Sequence, residues 1–181
     1  MARLKLITGK NDVAAEHHAI VDAITKTRGG VHGPFHMFMH CPPLADRVAH
    51  LGAYVRFEGK LDHRVRVLAA MVVAREFEAA YVWGAQTGQA RKQGVPEATI
   101  TAIRDKHSRG MPAEDAQIVN ATRDLIHKHR LDPATFQALQ KRFGDEQLIE
   151  LTGTIGYYTM LGMTVNACEL EAAQGAEKLP A

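Results

Sequence analysis

Apolar residues recur along most of the chain at the three- and four-residue spacing of a helix. Leu44, Val48, Leu51 and Val55 form one such stripe. No convincing alternation of apolar and polar residues predicts a strand. The pattern therefore predicts an all-α fold, a single-domain helical bundle of about six to eight helices.

Glycines, prolines and capping residues mark where these helices begin and end. The predicted helices cover residues 11–27, 44–57, 96–106, 113–128, 133–143 and 145–173, with a short helical turn at 35–40. Asn11 or Asp12 is the expected cap of the first helix. We expect an N-terminal helix or arm over residues 1–28, the main helical domain over 29–173 and a tail over 174–181.

The sequence predicts helix almost without interruption over residues 62–92. A single helix of this length would extend roughly 46 Å at about 1.5 Å per residue. A globule of 181 residues is only about 40 Å across. We therefore expect two helices with a break around residues 75–78, or one helix that projects into a partner subunit.

Composition narrows the classes of partner. Hydrophobic residues make up 46% of the 181 residues, which supports a packed core. The net charge is +2, and the basic residues are scattered, which argues against a nucleic-acid partner. Lys60, Arg64 and Arg66 are predicted to form a solvated face.

Cysteine usage and hydropathy favour a cytoplasmic protein. Cys41 and Cys168 lie far apart without a C-x-x-C motif, so they predict neither a disulfide framework nor a metal site. The N-terminus lacks the apolar stretch of a signal peptide. The uncharged run 151–165 is shorter than the roughly 20 residues that cross a bilayer. Three glycines in this run indicate close helix packing and favour self-association.

His32, His36 and His40 recur every four residues through a loop rich in glycine and proline. If residues 35–40 are helical, His36 and His40 share one face. These two are the candidate proton-transfer residues, since histidine titrates near neutral pH. A metal site needs a third ligand that the sequence does not identify. The alternative is that all three make ordinary loop hydrogen bonds.

Several aromatic and polar residues are candidates for a ligand pocket. Aromatic rings with polar tips hold planar ligands by stacking and phenol hydrogen bonds. Core packing is the alternative for Trp83 and Tyr157, and a structural ion pair is the alternative for Arg75. The predicted substrate-binding residues are Tyr81, Val82, Trp83, Gln86, Tyr157, Tyr158 and Arg75.

Longer segments carry a family resemblance. The sequence GPFHMFMHCPPLADRVAHLGAYVRFEGKL is followed by AREFEAAYVWGAQTGQARKQGVPEA and, near the end, by ELTGTIGYYTMLG. In order and spacing these segments resemble the carboxymuconolactone decarboxylase family, whose architecture is similar to that of alkyl hydroperoxide reductase D-type proteins. The resemblance implies an all-helical fold and assembly as trimers or hexamers.

The chain departs from that family at the positions that usually carry chemistry. The peroxidase branch has C-x-x-C-x-x-x-H where this chain has Ala79, Val82 and Gln86. The decarboxylase branch typically has Y-E-W-x-x-H, and its preceding helix often has a glutamate where this chain has Val67. Thiol peroxidase chemistry needs a thiolate, so we predict that it is absent at this site. Gln86 remains able to orient a carboxylate or carbonyl by hydrogen bonds.

Three functions are consistent with these residues. The first is a carboxymuconolactone decarboxylase-like enzyme that acts on a small carboxylated or lactone ring without a cofactor. In that enzyme His36 or His40 moves the proton, while Gln86, Tyr81 and Trp83 position the substrate. The second is a catalytically silent homologue that binds a small ligand or serves in an assembly. The third reuses the pocket for isomerisation or hydrolysis.

Overall fold

The structure is a computed structural model that describes residues 2–180. Over that range it contains eight α-helices and no strand, so the predicted all-α bundle is confirmed. The helices are α1 His18–Arg28, α2 Phe35–Phe38, α3 Pro42–Ala53, α4 His63–Glu76, α5 Ala80–Lys92, α6 Glu97–Arg104, α7 Ala113–His127 and α8 Pro133–Ala167. None of the helices in the described range is long and apolar enough to cross a membrane.

Helix α4 is the centre of the bundle and packs against α5, α7 and α8. Its residues 68–74 are completely buried, and most of them are alanine or valine. The Asp62 carboxylate caps the helix by accepting hydrogen bonds from the backbone N–H groups of Arg64 and Val65, at 2.8 and 3.3 Å. Small side chains on all faces of α4 let three helices approach it closely, which explains its weak amphipathic pattern.

The predicted break between residues 75 and 78 is confirmed. Helix α4 ends at Glu76, and Glu78 adopts a left-handed φ of 52° before α5 begins at Ala80. The Glu78 carboxylate is held by Arg75 at 2.5 Å and by Lys106 at 2.8 Å. These two ion pairs stabilise a backbone conformation that is otherwise uncommon for a residue with a side chain.

Two predicted helix boundaries are wrong. Helix α1 begins at His18 rather than near residue 11, after two short 3₁₀ turns. Asp12 does not cap it, because its carboxylate accepts hydrogen bonds from the N–H and hydroxyl of Thr8, at 2.8 and 2.9 Å. Helix α8 ends at Ala167 rather than at residue 173, because Glu169 turns into the left-handed region with φ 51°.

Two local irregularities shape the surroundings of the site. A π-helical turn, Tyr54–Glu58, extends α3 and contributes the side chain of Arg56 to a cavity. In α8, Gly144 has φ 70° and ψ 175°, so the helix is kinked there, where the sequence predicted a boundary. Helix α8 packs along α4 and α5.

The predicted solvated face of Lys60, Arg64 and Arg66 is only partly observed. Lys60 is exposed, but Arg64 makes a two-pronged ion pair with the fully buried Asp115, at 2.5 and 2.8 Å. Arg66 turns inward and donates from Nη1 to the carbonyl of Val55 at 2.6 Å. These three basic residues therefore face solvent, a buried carboxylate and a cavity, respectively.

Candidate functional site

Gln86 on α5 faces Tyr158 on α8, and the pair divides two cavities in the bundle. The Gln86 Nε2 to Tyr158 Oη distance is 3.5 Å, a long and weak hydrogen bond. Both side chains line both cavities. A ligand on either side can therefore replace this contact with a better hydrogen bond.

The first cavity, which we name the tyrosine cavity, has a volume of about 260 Å³. Gly33 in its wall has a left-handed φ of 59°, and a Cβ there would lie 2.8 Å from the Tyr81 hydroxyl, so Gly33 makes room for Tyr81. Its lining combines three tyrosines, two arginines and apolar groups: Arg28, His32, Gly33, Pro34, Phe35, Arg56, Tyr81, Val82, Ala85, Gln86, Tyr157, Tyr158 and Leu161.

The second cavity, which we name the arginine cavity, has a volume of about 280 Å³. It lies on the other side of the Gln86–Tyr158 pair, next to the π-helical turn. Its lining is Val55, Arg56, Phe57, His63, Arg66, Val67, Gln86, Gln89 and Tyr158. No aspartate or glutamate lines either cavity within the described chain, so both have positive walls.

The cavity arginines lack the ion pairs that most buried guanidinium groups have. Arg28 donates to neutral oxygens, Thr27 Oγ1 at 2.7 Å, the Ala49 carbonyl at 2.9 Å and the Tyr157 phenol, and it stacks 4.5 Å over the Phe35 ring. The Nε atoms of Arg28 and Arg66 are buried, with no hydrogen-bond partner in residues 2–180. Burial lowers the pKa of Arg28, but a guanidinium remains protonated in proteins. These side chains therefore keep unused capacity to bind an anion.

The tyrosines of the site are neutral hydrogen-bond donors at physiological pH. Burial, and then the neighbouring Tyr157, raise the pKa of the Tyr158 phenol to about 12. Burial also raises the pKa of Tyr157, although Arg28 opposes this shift, and burial raises the pKa of Tyr81. Because each phenol keeps its proton, each can donate to a carboxylate or a carbonyl oxygen.

The structure separates the three loop histidines. His36 Nδ1 lies 2.8 Å from the Ile7 carbonyl, and His40 Nε2 lies 2.8 Å from the Lys5 carbonyl. Both candidate proton carriers therefore hold the N-terminal segment and line neither cavity. His32, which packs edge-on against His36, does line the tyrosine cavity. No three metal-ligating side chains come together anywhere in the described part of the chain.

The predicted substrate-binding residues are only partly brought together. Tyr81, Val82, Gln86, Tyr157 and Tyr158 all line the tyrosine cavity. Trp83 is completely buried in the core, and its indole N–H has no partner in the described chain. Arg75 lies outside both cavities, where Nε donates to the Arg104 carbonyl at 2.5 Å and Nη1 binds Glu78.

The positions where the chain departs from the family pattern converge on the cavities. Val82 lines the tyrosine cavity, Val67 lines the arginine cavity and Gln86 lines both. Ala79 is completely buried beside Gly162. Both cysteines lie outside the cavities as free thiols, Cys41 exposed and Cys168 half-buried. The site therefore keeps its frame but has alkyl and amide groups where acids, imidazole or thiols are usual.

Sequence reasoning missed four basic residues that line these cavities: Arg28, Arg56, His63 and, by misplacing it, Arg66. Arg28 is the last residue of α1, a helix that the sequence assigned to a separate arm. Arg56 lies in the first of the segments that carry the family resemblance, within the residues RFEG. That segment was the one available signal, because the other three residues occur in ordinary helical contexts.

Comparison with known proteins agrees with this fold. A model of the carboxymuconolactone decarboxylase family matches residues 42–124, which confirms the predicted resemblance over that range. A peroxidase-related protein from Ralstonia eutropha, described as an alkylhydroperoxidase AhpD core, superposes with a TM-score of 0.78 at 12% identity, covering 96% of this chain and 93% of that one. A peroxidase-related protein from Silicibacter sp. gives 0.75 at 13% identity, covering 97% and 93%.

A third similar structure is the debrominase Bmp8 in complex with 2,3,4-tribromopyrrole. Its TM-score is 0.69 at 16% identity, and the match covers 96% of this chain and 95% of that one. No curated protein sequence matches the chain. At these identities the structural matches establish the fold alone.

Proposed function

Residues 42–124 match the carboxymuconolactone decarboxylase family, and the fold is AhpD-like. On that basis we propose that the protein binds a small carboxylated or lactone-like ring in the tyrosine cavity. The observation that carries this proposal is a pair of guanidinium groups, Arg28 and Arg56, in a cavity without a carboxylate. A ligand carboxylate supplies the missing negative charge.

Binding of the carboxylate is favoured because opposite charges attract more strongly in this partly buried site than in water. Two unit charges 4 Å apart attract by about 4 kcal/mol at an effective dielectric constant of 20, against about 1 kcal/mol in water. The neutral phenols of Tyr81 and Tyr158 supply hydrogen bonds to carbonyl or carboxylate oxygens. Phe35, Val82 and Leu161 supply apolar contacts for the ring. The debrominase of similar fold is solved with a small planar ring, which supports a ligand of this size.

A second candidate function is slow acid–base turnover of the bound ring, in the manner of a cofactor-independent lyase or isomerase. It is favoured by one observation, that the His32 side chain lines the tyrosine cavity. A positioned acid or base contributes typically 10²–10⁴ in rate. In this candidate function His32 carries the proton that the sequence assigned to His36 or His40. Thiol peroxidase chemistry is not proposed, because the two cysteines lie outside the site.

Calorimetric titration tests the binding proposal. Benzoate and γ-carboxy-γ-butyrolactone are the charged ligands, and benzamide is the uncharged control of similar shape. We expect both acids to bind and Arg28→Gln to weaken them roughly tenfold to a hundredfold, the range for hydrogen bonds to charged groups. Arg130→Gln is the matched control, since Arg130 is an exposed arginine outside both cavities. Equal affinity for benzoate and benzamide would refute the proposal.

Turnover is tested separately by following the proton NMR spectrum of the lactone acid with the wild-type protein and with His32→Gln. Product formation that is lost in His32→Gln supports the enzyme. Binding without any product supports the silent homologue. The two outcomes are distinct because His32 is exposed and its replacement leaves both arginines in place.

We also propose self-association, as a trimer or hexamer, and a cytoplasmic location. Large apolar side chains support the assembly: Phe57, Ile149 and Met163 are 60%, 68% and 55% exposed. Exposed apolar patches often mark protein interfaces, and these side chains are the candidates for contact with a second copy. Sedimentation equilibrium measures the assembly, and a monomer at micromolar concentration would refute it.

A further inference from the structure

We propose that the arginine cavity is a second binding site, next to the ring site, and that it takes a small oxyanion such as a carboxylate, phosphate or bicarbonate. This inference does not require the tyrosine cavity to bind a ring. It rests on the charges of the arginine cavity, on its hydrogen-bond donors and on its position behind Gln86 and Tyr158.

No carboxylate lines this cavity within residues 2–180, although Arg66 also lines a neighbouring cavity with Glu150, whose pKa it helps to lower. Arg56 and Arg66 enter it from the π-helical turn and from α4, and neither makes an ion pair within residues 2–180. Arg64, two residues before Arg66, shows the contrast, since it is neutralised by the buried Asp115. A cation that faces a cavity without a counter-ion attracts an anion more strongly than one in bulk water.

The Arg66 side chain makes fewer hydrogen bonds than its donors allow. Its side chain donates once, from Nη1 to the Val55 carbonyl at 2.6 Å. Its Nε is buried and has no partner in the described chain. A buried donor without a partner is unfavourable, because it has lost its hydrogen bond to water and gained none in the protein. Nε itself has no surface open to the cavity, so an oxyanion there accepts from the terminal nitrogens of the guanidinium, whose geometry suits oxyanions.

The remaining polar groups of the cavity are also donors. Gln86 and Gln89 lie three apart on α5 and share one face, and the Tyr158 phenol keeps its proton. His63 lies at the first turn of α4. Burial, and then Arg66, lower the pKa of His63, while Asp62 opposes and Arg56 adds to the lowering. An anion in the cavity would reverse this effect, so His63 is a built-in reporter of occupancy.

The cavity also has suitable size and polarity. Its volume of about 280 Å³ exceeds the roughly 30 Å³ of one water molecule. Val55 and Val67 give it buried apolar walls, 6% and 3% exposed, which reduce dielectric screening. Because Arg56, Gln86 and Tyr158 are shared with the tyrosine cavity, the oxyanion has two possible sources. It is either a free inorganic anion or the carboxylate of a ring bound next door.

The test is a proton NMR titration of the His63 ring with inorganic phosphate in one arm and benzoate in the other. We expect saturation to raise the His63 pKa by about one unit, as nearby opposite charge does. Arg56→Gln, an exposed residue that stacks only on Phe57, should weaken phosphate binding on the order of tenfold. Arg66→Gln should do the same, provided that circular dichroism shows a folded protein. Arg130→Gln should leave phosphate binding unchanged.

The two arms separate the possible outcomes. A response to phosphate establishes a free-anion site, and a response to benzoate alone establishes that the ring carboxylate fills the cavity. If neither anion moves the His63 resonance, or if Arg130→Gln weakens phosphate as much as Arg56→Gln does, the proposal is refuted. Failure of the ring-site proposal is detected by a different measurement, namely benzoate binding that Arg28→Gln does not weaken.

Discussion

Alanine at position 52 should disrupt the tyrosine cavity through a single added methyl group. Gly52 is buried in α3, where Tyr157 from α8 and Arg28 from α1 meet it. A Cβ at this position would overlap the Tyr157 hydroxyl, and it would lie 2.8 Å from the Arg28 Nη2 atom. Arg28 is flexible and can withdraw, but the Tyr157 ring is rigid and buried, so the ring or the helix must move.

Two opposing effects set the magnitude. Replacing glycine by alanine inside a helix is favourable by about 0.5–1 kcal/mol. Overpacking a buried site is unfavourable by typically 1–3 kcal/mol. The net expectation for Gly52→Ala is a free energy of unfolding that is lower by roughly 0–2.5 kcal/mol. Displacement of Arg28 and Tyr157 should also weaken benzoate binding roughly tenfold or more.

Gly88→Ala is the matched control. Gly88 lies in the interior of α5, and a Cβ there would have no atom within 4 Å. This variant should gain the full helix-propensity effect, which raises Tm by roughly 2–4 °C for each kcal/mol in a chain of this size. Thermal and urea unfolding measure the difference, and calorimetry measures binding. If Gly52→Ala is stabilised as much as Gly88→Ala and binds benzoate normally, the close approach at Gly52 is not a determinant of the site.

Three further predictions follow from other contacts. Asp115→Asn should lower the free energy of unfolding by roughly 3–5 kcal/mol in urea, because it leaves a guanidinium without its buried partner, whereas Glu114→Gln on the exposed side of α7 should change it by less than about 0.5 kcal/mol. The pKa of His63 is lowered in the folded state, so the unfolded chain takes up the proton first as pH falls. The contribution of His63 to stability is therefore complete above pH 6.5 and is lost below it. Urea unfolding of wild type and His63→Gln at pH 5 and pH 7.5 measures this, and an equal loss of stability at pH 5 in both proteins would contradict it. Gly84→Ala would bring a Cβ within 2.7 Å of the Ala176 Cβ, so it should release the C-terminal segment and make it more sensitive to limited proteolysis than in Gly88→Ala.

The departures from the family pattern have a consistent physical effect. Val67 and Val82 place apolar side chains where the family has titratable groups, and both are buried in cavity walls. They lower the local polarity, which strengthens the field of the remaining arginines. These two valines therefore fit the proposed binding of an anion.

Much of the architecture was predictable because it follows from local patterns. The helical spacing of apolar residues, the break before Ala79 and the boundary near Gly144 all depend on near neighbours in sequence. The motifs around Trp83 drew attention to helix α5, whose residues line both cavities. The wrong boundaries at the start of α1 and the end of α8 also have local causes. The Asp12 carboxylate accepts a hydrogen bond from Thr8, and Glu169 enters the left-handed region.

The composition of the site was less predictable, because it depends on which side chains meet across the bundle. Sequence spacing alone placed His36 and His40 on one face, but it did not show that the N-terminal segment would occupy that face with its carbonyl oxygens. It also did not distinguish Arg64, which finds a buried carboxylate, from Arg66, which faces a cavity.

The sequence by itself determined that the chain is helical, where its main helices lie and which usual acid, base and thiol groups it lacks. Those properties reside in single residues or in spacings of three and four. Only the tertiary structure decided that Arg28, Arg56 and Arg66 gather around Gln86 and Tyr158 without a carboxylate. The physical reason is that electrostatic balance depends on distances between elements far apart in sequence, and only packing fixes those distances.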